Sequence, residues 1–472
     1  MPRFCWGLLL LVVASLNRAQ ALSVDEFIAE VKEAHQGLRG ALLKAEADAG
    51  QAAGVKVAYA FTLFSELKHT DDRTAGGSSP ILPGVTSKND RLAFGVSKQE
   101  RFGLQSKLSY SLQQSRLDGI PSGYGIDGSF STASLGVELS QPLWKNAFGR
   151  DFTVQDEGMR LGSQAQVRGD HFQAQQILVA SEKAYWKLAS KRELAKIQQA
   201  SYLRAQAIVG WQARRVSKNL ADQADLLQAQ AALKVRELER EASASELRLA
   251  LKQCNELRSK EASQELLSDF PSKAAVLQLA LPQRGKQRGD LEAARLFLLA
   301  SRKNVELSYS KFTPSLDLIF NGALTSKEGE FTQAAGATLS PQHPNYTIAL
   351  RFSMPLLEKN LYTGLDQAQQ QGLRAQELSV NQQAADQEHE WEELQQRLSD
   401  GKRRFTLSSE LEAAQLGKVK AEQSRLQAGR STTYQMEMFE QEFLGAQVGR
   451  VLAAAQILEV IASMRIFEDE AL

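Results

Sequence analysis

The sequence predicts a mainly helical protein with a β part: long antiparallel helices carrying short blocks of strands, arranged as two tandem repeats. Three observations predict it. Apolar residues recur at coiled-coil spacing over very long stretches. Two other segments alternate with period two. The order helix, strands, long helix, return helix occurs twice. The composition agrees. At 24% charged and 43% hydrophobic, the 472-residue chain is too polar on average for a helical membrane protein and too apolar for a disordered one. The formal charge is +1, from 56 Lys+Arg against 55 Asp+Glu, so no broad basic field supports nucleic-acid binding.

The N-terminus reads as a secretory signal over 1–21. Arg3 supplies the positive start, Leu8 to Ala14 the apolar run, and Ala19-Gln20-Ala21 a small-x-small cleavage site. The run is too short for the ~20 residues that a helical span needs. Removing it takes Cys5 and leaves Cys254, so an exported product has no intramolecular disulfide and relies on packing or oligomerisation. Beyond the signal no run of 18 apolar residues occurs, which excludes transmembrane helices but not a β-barrel, whose alternating strands leave little hydropathy signal.

Repeat 1 covers 22–258. Leu22 to about Ala53 reads as one helix, with Ser23 or Asp25 near its start. Strands are expected over about 55–140. In the first, from Val55 to about Phe64, Val57, Tyr59, Phe61 and Leu63 share a face. A loop with Gly76-Gly77, Pro80 and Pro83-Gly84 follows. Next come a hairpin, 92–112, around Phe102-Gly103 and a strand through Leu135, Val137 and Leu139 that ends at Pro142-Leu143. A long helix spans about 152–216, with Phe172, Val179, Trp186 and then Leu188, Ala195, Tyr202, Val209 at sevens. At ~1.5 Å per residue it is roughly 96 Å long. A return helix covers about 221–258.

A linker over 259–287 contains Pro271 and Pro282. Repeat 2 covers 288–468: a helix from about Asp290 to Phe312, and strands over about 315–354 in which Leu316, Leu318 and Phe320, then Tyr346, Ile348, Leu350 and Phe352, alternate with polar residues. A loop is expected over 326–345, with Gly329, Pro341 and Pro344. A long helix over about 361–427 places Trp391, Leu394, Leu398 and Phe405 at 3-4-7 spacing, and a return helix covers about 432–467. The halves match locally. Gln141-Pro142-Leu143 answers Met354-Pro355-Leu356, and Arg215-x-x-x-Asn219 answers Arg425-x-x-x-Gly429. Asn and Gly are the residues that most readily take positive φ, which a tight helix–helix turn needs.

A few strands alone are not stable in water or lipid, so their edges must close on other copies of the chain. One apolar and one polar face per strand fits a transmembrane barrel, apolar outside. Pro142, Pro314 and Pro355 mark strand–helix junctions, because proline cannot donate to a ladder. Arg351 lies opposite the apolar row and is expected in the barrel lumen, since on the lipid side it would cost ~2–4 kcal/mol near the midplane. For Trp144 and Tyr346 two readings stand, a lipid interface or core packing. The glutamines of the second long helix, Gln367 to Gln387, fit either a hydrated lumen or an ordinary solvated face.

In combination these features resemble the TolC family of outer-membrane efflux and export channels. Leu22-Ser23-Val24-Asp25-Glu26 is similar to the family's mature start, and Arg288-Gly289-Asp290-Leu291-Glu292-Ala293-Ala294 to the opening of its second half, with Gly289 where proline is usual. Phe312-Thr313-Pro314-Ser315-Leu316 resembles a strand start, Ser140 to Leu143 and Ser353 to Leu356 the paired strand ends, and Arg425 to Ser431 a helix-turn-helix tip. The resemblance covers about 22–468. It implies a homotrimer in which each chain gives four strands to one shared barrel and helices to a periplasmic tunnel. It implies partners too: outer-membrane lipid, a periplasmic adaptor (membrane fusion) protein and an inner-membrane transporter. Its expected role is a passive conduit in tripartite efflux or type I secretion at the Gram-negative outer membrane, with no cofactor and no catalysis.

Three departures stand out. The hairpin 92–112 is extra and leaves the strand count open. Gly54 stands where the second half has Pro314. The acidic positions that constrict the family's second-half tip are matched here by Gln435 and Met438, with Asp225 at the equivalent first-half place. The residues assigned to the tips are Arg215, Asn219, Asp225, Arg425, Gly429, Arg430, Thr432 and Gln435. They have two readings: docking and gating, or plain helix capping.

Enzyme signals are missing. His35, His69, His171, His343 and His389 form no H-E-x-x-H and share no metal-ligand spacing, and neither G-x-x-x-x-G-K-[ST] nor G-x-S-x-G occurs. Two other roles fit the same periodicity: a periplasmic adaptor, which usually has one hairpin and no duplication, and a non-conducting envelope-spanning rod.

Overall fold

The computed structural model describes residues 22–73, 86–119, 128–266, 268, 270–338, 344–356 and 359–468. The expected signal segment, Gly76-Gly77, Pro80, Pro83-Gly84, Pro341 and His343 lie outside the described residues.

The chain divides into two compact units that cut across the sequence halves: Met1–Lys44, Gly169–Asp290 and Gln383–Leu472 form one, Ala45–Arg168 and Leu291–Gln382 the other. Each draws on both halves because helices and strands pair antiparallel across them.

The first unit is helical. It is built from α1 (Val24–Ala34), most of α3 (Arg150–Val216), α4 (Gln223–Leu257), a short α5 (Lys273–Gln278), most of α8 (Lys359–Gln427) and α9 (Thr433–Met464). Ser23 starts α1 with a capping box. Its Oγ accepts from the Glu26 N–H at 3.3 Å, and the Glu26 carboxylate accepts from the Ser23 N–H at 2.8 Å. The single helix expected over 22–53 is broken. His35 leaves helical geometry at ψ 111°, its Nδ1 accepts from the Leu38 N–H at 3.1 Å, and α2 (Gln36–Gly54) begins. A side chain that caps the next helix ends the first one at no cost in unsatisfied donors.

Phe27 and Val31 of α1 pack with Tyr185 and Leu188 of α3 and Ala250 and Cys254 of α4. The Tyr185 hydroxyl donates to the Leu22 carbonyl at 2.6 Å. The α4 end abuts α1, with Arg258 paired to Glu30 and the Ser259 hydroxyl donating to the Ala34 carbonyl at 3.0 Å. The expected stripe Trp391, Leu394, Leu398, Phe405 is buried against Ile457, Ile461 and Met464 of α9. On α3 the strict sevens fail past Leu188. Leu194 and Ile197 are buried, while Tyr202 is half-buried with the Arg240 guanidinium 4.4 Å over its ring. A helix of 3.6 residues per turn drifts off a seven-residue repeat unless its supercoil follows.

The second unit carries a six-stranded antiparallel sheet in sequence order: β1 (Thr62–Asp72), β2 (Thr86–Gln99), β3 (Gln105–Asp118), β4 (Ser129–Pro142), β5 (Ser315–Glu328) and β6 (Pro344–Ser353). The strand expected from Val55 is corrected. Gly54 continues the helix at φ −61°, a 3-10 turn covers Val55–Tyr59, and extended backbone starts at Ala60. No proline stands there to stop the helix, in contrast to Pro314 directly before β5. The expected hairpin 92–112 is present and longer. The loop expected over 326–345 is partly replaced by strand to Glu328 and by α7 (Phe331–Ala337). α6 (Gly289–Ser310) opens the second half.

Candidate functional site

The pairing registers give the sheet two unlike faces. One row runs across all six strands: Leu67 pairs with Leu92, Leu92 with Leu112, Val96 with Leu108, Leu108 with Val137, Leu139 with Phe320, and Phe320 with Ile348. Every one of these is apolar. Burial does not explain the row, since Leu63 is 79% exposed, Leu67 82% and Leu350 67%. A contiguous apolar face this large, open except around buried Leu112 and Ala133, marks an interaction surface. The opposite face is largely polar. Lys107 pairs with Glu138, Ser109 with Gly136, Ser111 with Ser134 and Asn321 with Thr347. Arg351 lies on that polar face, in register with Asp317.

The apolar row ends in charges at one margin. There His69 meets Asp90 at 2.6 Å and Lys88 meets Asp118 at 3.4 Å. At the helix-proximal margin aromatic rings gather instead. Trp144 lies 6.5 Å from Phe352, Phe312 lies 5.4 Å from Tyr362, and Phe61 and Phe148 are exposed. Trp144 and Tyr346 are both open, at 53% and 74%, so neither is a core residue of the chain. α7 rests on the apolar face, where Ala334 joins Leu112 and Ala133 and its carbonyl accepts from the Ser326 hydroxyl at 2.6 Å.

Pro142 is the last residue of β4, Pro314 directly precedes β5 and Pro355 follows β6 by two residues. The β4–α3 junction holds more than proline. Asn146, Phe148 and Gly149 have φ of 54°, 50° and 80°. The β2–β3 turn sits against this junction, and the Gln141 amide donates to the Phe102 carbonyl at 3.1 Å.

The two long-helix turns, both in the helical unit, share one geometry. Asn219 has φ 58° and Gly429 φ 70°. The Leu220 N–H donates to the Arg215 carbonyl at 2.8 Å, and the Arg430 N–H to the Arg425 carbonyl at 2.8 Å. These are the six-to-one bonds of a Schellman ending. The next helices start with side-chain caps: Asp222 accepts from Ala224 N–H at 3.3 Å and Thr432 Oγ1 from Gln435 N–H at 3.2 Å. Arg215 donates to the Leu220 carbonyl at 2.9 Å and stacks 4.7 Å over Trp211. Arg425 pairs at 3.3 Å with buried Glu422, which also accepts from the Ser431 hydroxyl. The Ser431 hydroxyl reaches Gln435 at 3.1 Å, Asp225 is half-buried in the first turn of α4, and Arg430 is exposed.

Acids that sequence reasoning passed over also lie near these turns. Glu440 pairs with Arg204 at 2.7 Å, and Glu437, whose carboxyl burial pushes up, accepts from Gln228 at 3.5 Å. Their signal was a glutamate on the α9 face between Met436 and Phe443, where apolar residues are due. Trp211, Leu426, Met436 and Phe443 line a groove of about 510 Å³ beside them.

No group of three or more His, Cys, Asp or Glu side chains that could hold a metal ion occurs among the described residues. Glu388 and Glu390, which flank His389, are taken by Arg284 at 2.6 Å and Arg288 at 2.6 Å. Asp290, from the motif that opens the second half, accepts from Gln387 at 2.8 Å and Gln383 at 3.1 Å. No helix among the described residues is long and apolar enough to cross a membrane.

No family model and no curated protein matches the chain. Solved structures do. The fold is similar to that of VceC, an outer membrane protein of Vibrio cholerae, at 14% identity and TM-score 0.68 over 94% of this chain and 96% of that one. It is similar to the outer-membrane channel OprN at 14% identity and TM-score 0.69, over 94% and 89%. It is similar to the CmeC outer membrane channel of Campylobacter jejuni at 13% identity and TM-score 0.68, over 95% and 87%. The chain therefore has the fold of the TolC-like outer-membrane channels.

Proposed function

We propose that this protein is an outer-membrane channel of a Gram-negative bacterium. It conducts substrates passively from an inner-membrane transporter and a periplasmic adaptor, as in tripartite efflux or type I secretion. The observation that carries the reading is the two-faced sheet, with an exposed apolar row on one side and a largely polar face on the other. That is the wall of a transmembrane barrel. Both sheet edges, β1 and β6, have no partner strand among the described residues, so the wall closes with further copies, as a homotrimer. Leu227, Leu238 and Leu249 on α4 and Leu407 and Leu411 on α8 are exposed, which supports helix packing between copies as well.

In this reading the Asn219 and Gly429 turns form the periplasmic end, with Arg215, Asp225, Arg430 and Gln435 offered to the adaptor or the gate. The single test is conductance. Purified protein added to a planar bilayer gives discrete steps, larger when the Arg204–Glu440 or Arg425–Glu422 pairs are broken. No step from any of these variants would leave the non-conducting rod. A periplasmic adaptor is disfavoured because the apolar face would stand in water.

A further inference from the structure

We infer that each copy gives six strands to the barrel, so that three copies close an eighteen-stranded wall in place of the twelve strands that four per chain would give. The inference deepens the channel reading above and rests on its three-copy assembly.

The extra hairpin β2–β3 is part of the wall and not a flap beside it. β2 pairs with β1 from Ser87 to Ser97 and with β3 along its whole length, and β3 pairs with β4 from Gln105 to Arg116. The face pattern runs through it unbroken. Leu92, Phe94 and Val96 and Leu108, Tyr110 and Leu112 stand in the same apolar row as Leu67 and Val137. A hairpin packed on a finished barrel would have an apolar side only toward that barrel. The hairpin also spans the full height of the sheet. Its turn reaches the β4–α3 junction, where a Cβ on Gly103 would lie 2.9 Å from the Gly149 nitrogen.

Parity agrees. Neighbouring strands alternate in direction, so β1 and β6 run oppositely and the β6 edge of one copy can pair antiparallel with the β1 edge of the next. Any number of such copies closes an all-antiparallel ring with an even strand count.

The consequence is width. With strands ~4.8 Å apart and tilted ~40°, eighteen strands give a backbone diameter of roughly 36 Å, against roughly 24 Å for twelve. Side chains take about 5 Å from each wall, which leaves a lumen of roughly 26 Å. The lumen face mixes small residues, Ser109, Ser111, Ser134, Gly136 and Thr347, with the longer Lys107, Glu138 and Arg351, whose side chains narrow the bore locally. A passage of that size admits two helices side by side, each about 10–12 Å across. The cargo class it fits is therefore a bulky solute or a partly folded polypeptide at the level of the outer membrane.

The test is a strand count by electron cryomicroscopy of the full-length protein in lipid nanodiscs. It is paired with the same count for a variant lacking 86–118, in which β1 meets β4 with faces matched. The expected result is eighteen strands, falling to twelve in the variant, with a smaller polymer size excluded from the bore in bilayers. If the variant does not assemble, the count on the intact protein decides alone. A conducting particle with twelve strands, from two copies or with β2–β3 outside the wall, overturns the inference and leaves the channel reading. A particle with no barrel overturns both.

Discussion

Gly103 and Gly149 meet backbone to backbone: a Cβ on Gly103 would stand 2.9 Å from the Gly149 nitrogen, and one on Gly149 would stand 1.9 Å from the Arg101 carbonyl oxygen. Both have positive φ, 89° and 80°. The contact ties the β2–β3 turn to the point where β4 becomes α3. Gly149→Ala adds a clash to a left-handed backbone that alone costs ~1–2 kcal/mol. The variant is expected to lose at least that much, seen as a lower melting temperature of the detergent-solubilised protein. Gly445→Ala, with open space around it inside a helix, is the control and should hold or raise the melting temperature.

The two faces of the sheet set a second expectation. Leu350 lies on the exposed apolar row and Asn321 on the polar face. Leu350→Arg puts a charge toward lipid at a cost of ~2–4 kcal/mol, while Asn321→Arg stays in the lumen. Folding yield in vesicles falls for the first and holds for the second. Equal loss in both would mean that the sheet does not separate lipid from water.

The helix turns depend on backbone geometry more than on side-chain identity. Asn219→Gly removes no left-handed preference and is expected to leave stability unchanged. Gly429→Val forces a β-branched residue to φ 70° and should cost ~1–2 kcal/mol or more. Chemical denaturation of the detergent-solubilised protein measures both.

Glu182 gives a pH dependence. Burial raises its carboxyl above the ordinary range, opposed by Arg465 at 3.3 Å and by the Trp186 indole N–H at 3.2 Å. The folded protein then holds this proton more tightly than the unfolded chain. Its contribution is complete below the ordinary carboxylate range and is lost as pH rises through the higher native value. Glu182→Gln should flatten that fall, read as thermal stability at a series of pH values. An unchanged slope would show that other groups control it.

Much of this was legible in the chain. Long apolar spacing without proline located α3 and α8 within two residues of their ends. Asn219 and Gly429 announced left-handed turns because few other residues take positive φ. Pro314 marked a strand start because it cannot sit inside a ladder. The first strand was misplaced because Val57, Tyr59 and Phe61 alternate as a strand does, while the helix before them carries on past Gly54 with nothing to stop it. The break at His35 depends on one side-chain cap that periodicity cannot show. The strained Phe148 and the Arg204–Glu440 pair, with its buried carboxylate, arise from tertiary packing, which one-dimensional patterns do not encode.

The most direct test of the central claim is a spin-label scan along Tyr346 to Phe352 in lipid vesicles. Cys254 leaves the scan clean, since it is buried and its thiol is pushed up to about 12, which keeps it protonated at working pH. Labels at 346, 348, 350 and 352 are expected to collide with oxygen dissolved in lipid, and those at 347, 349 and 351 with a water-soluble nickel chelate. The same accessibility at every position, or all positions open to the chelate, would contradict that claim.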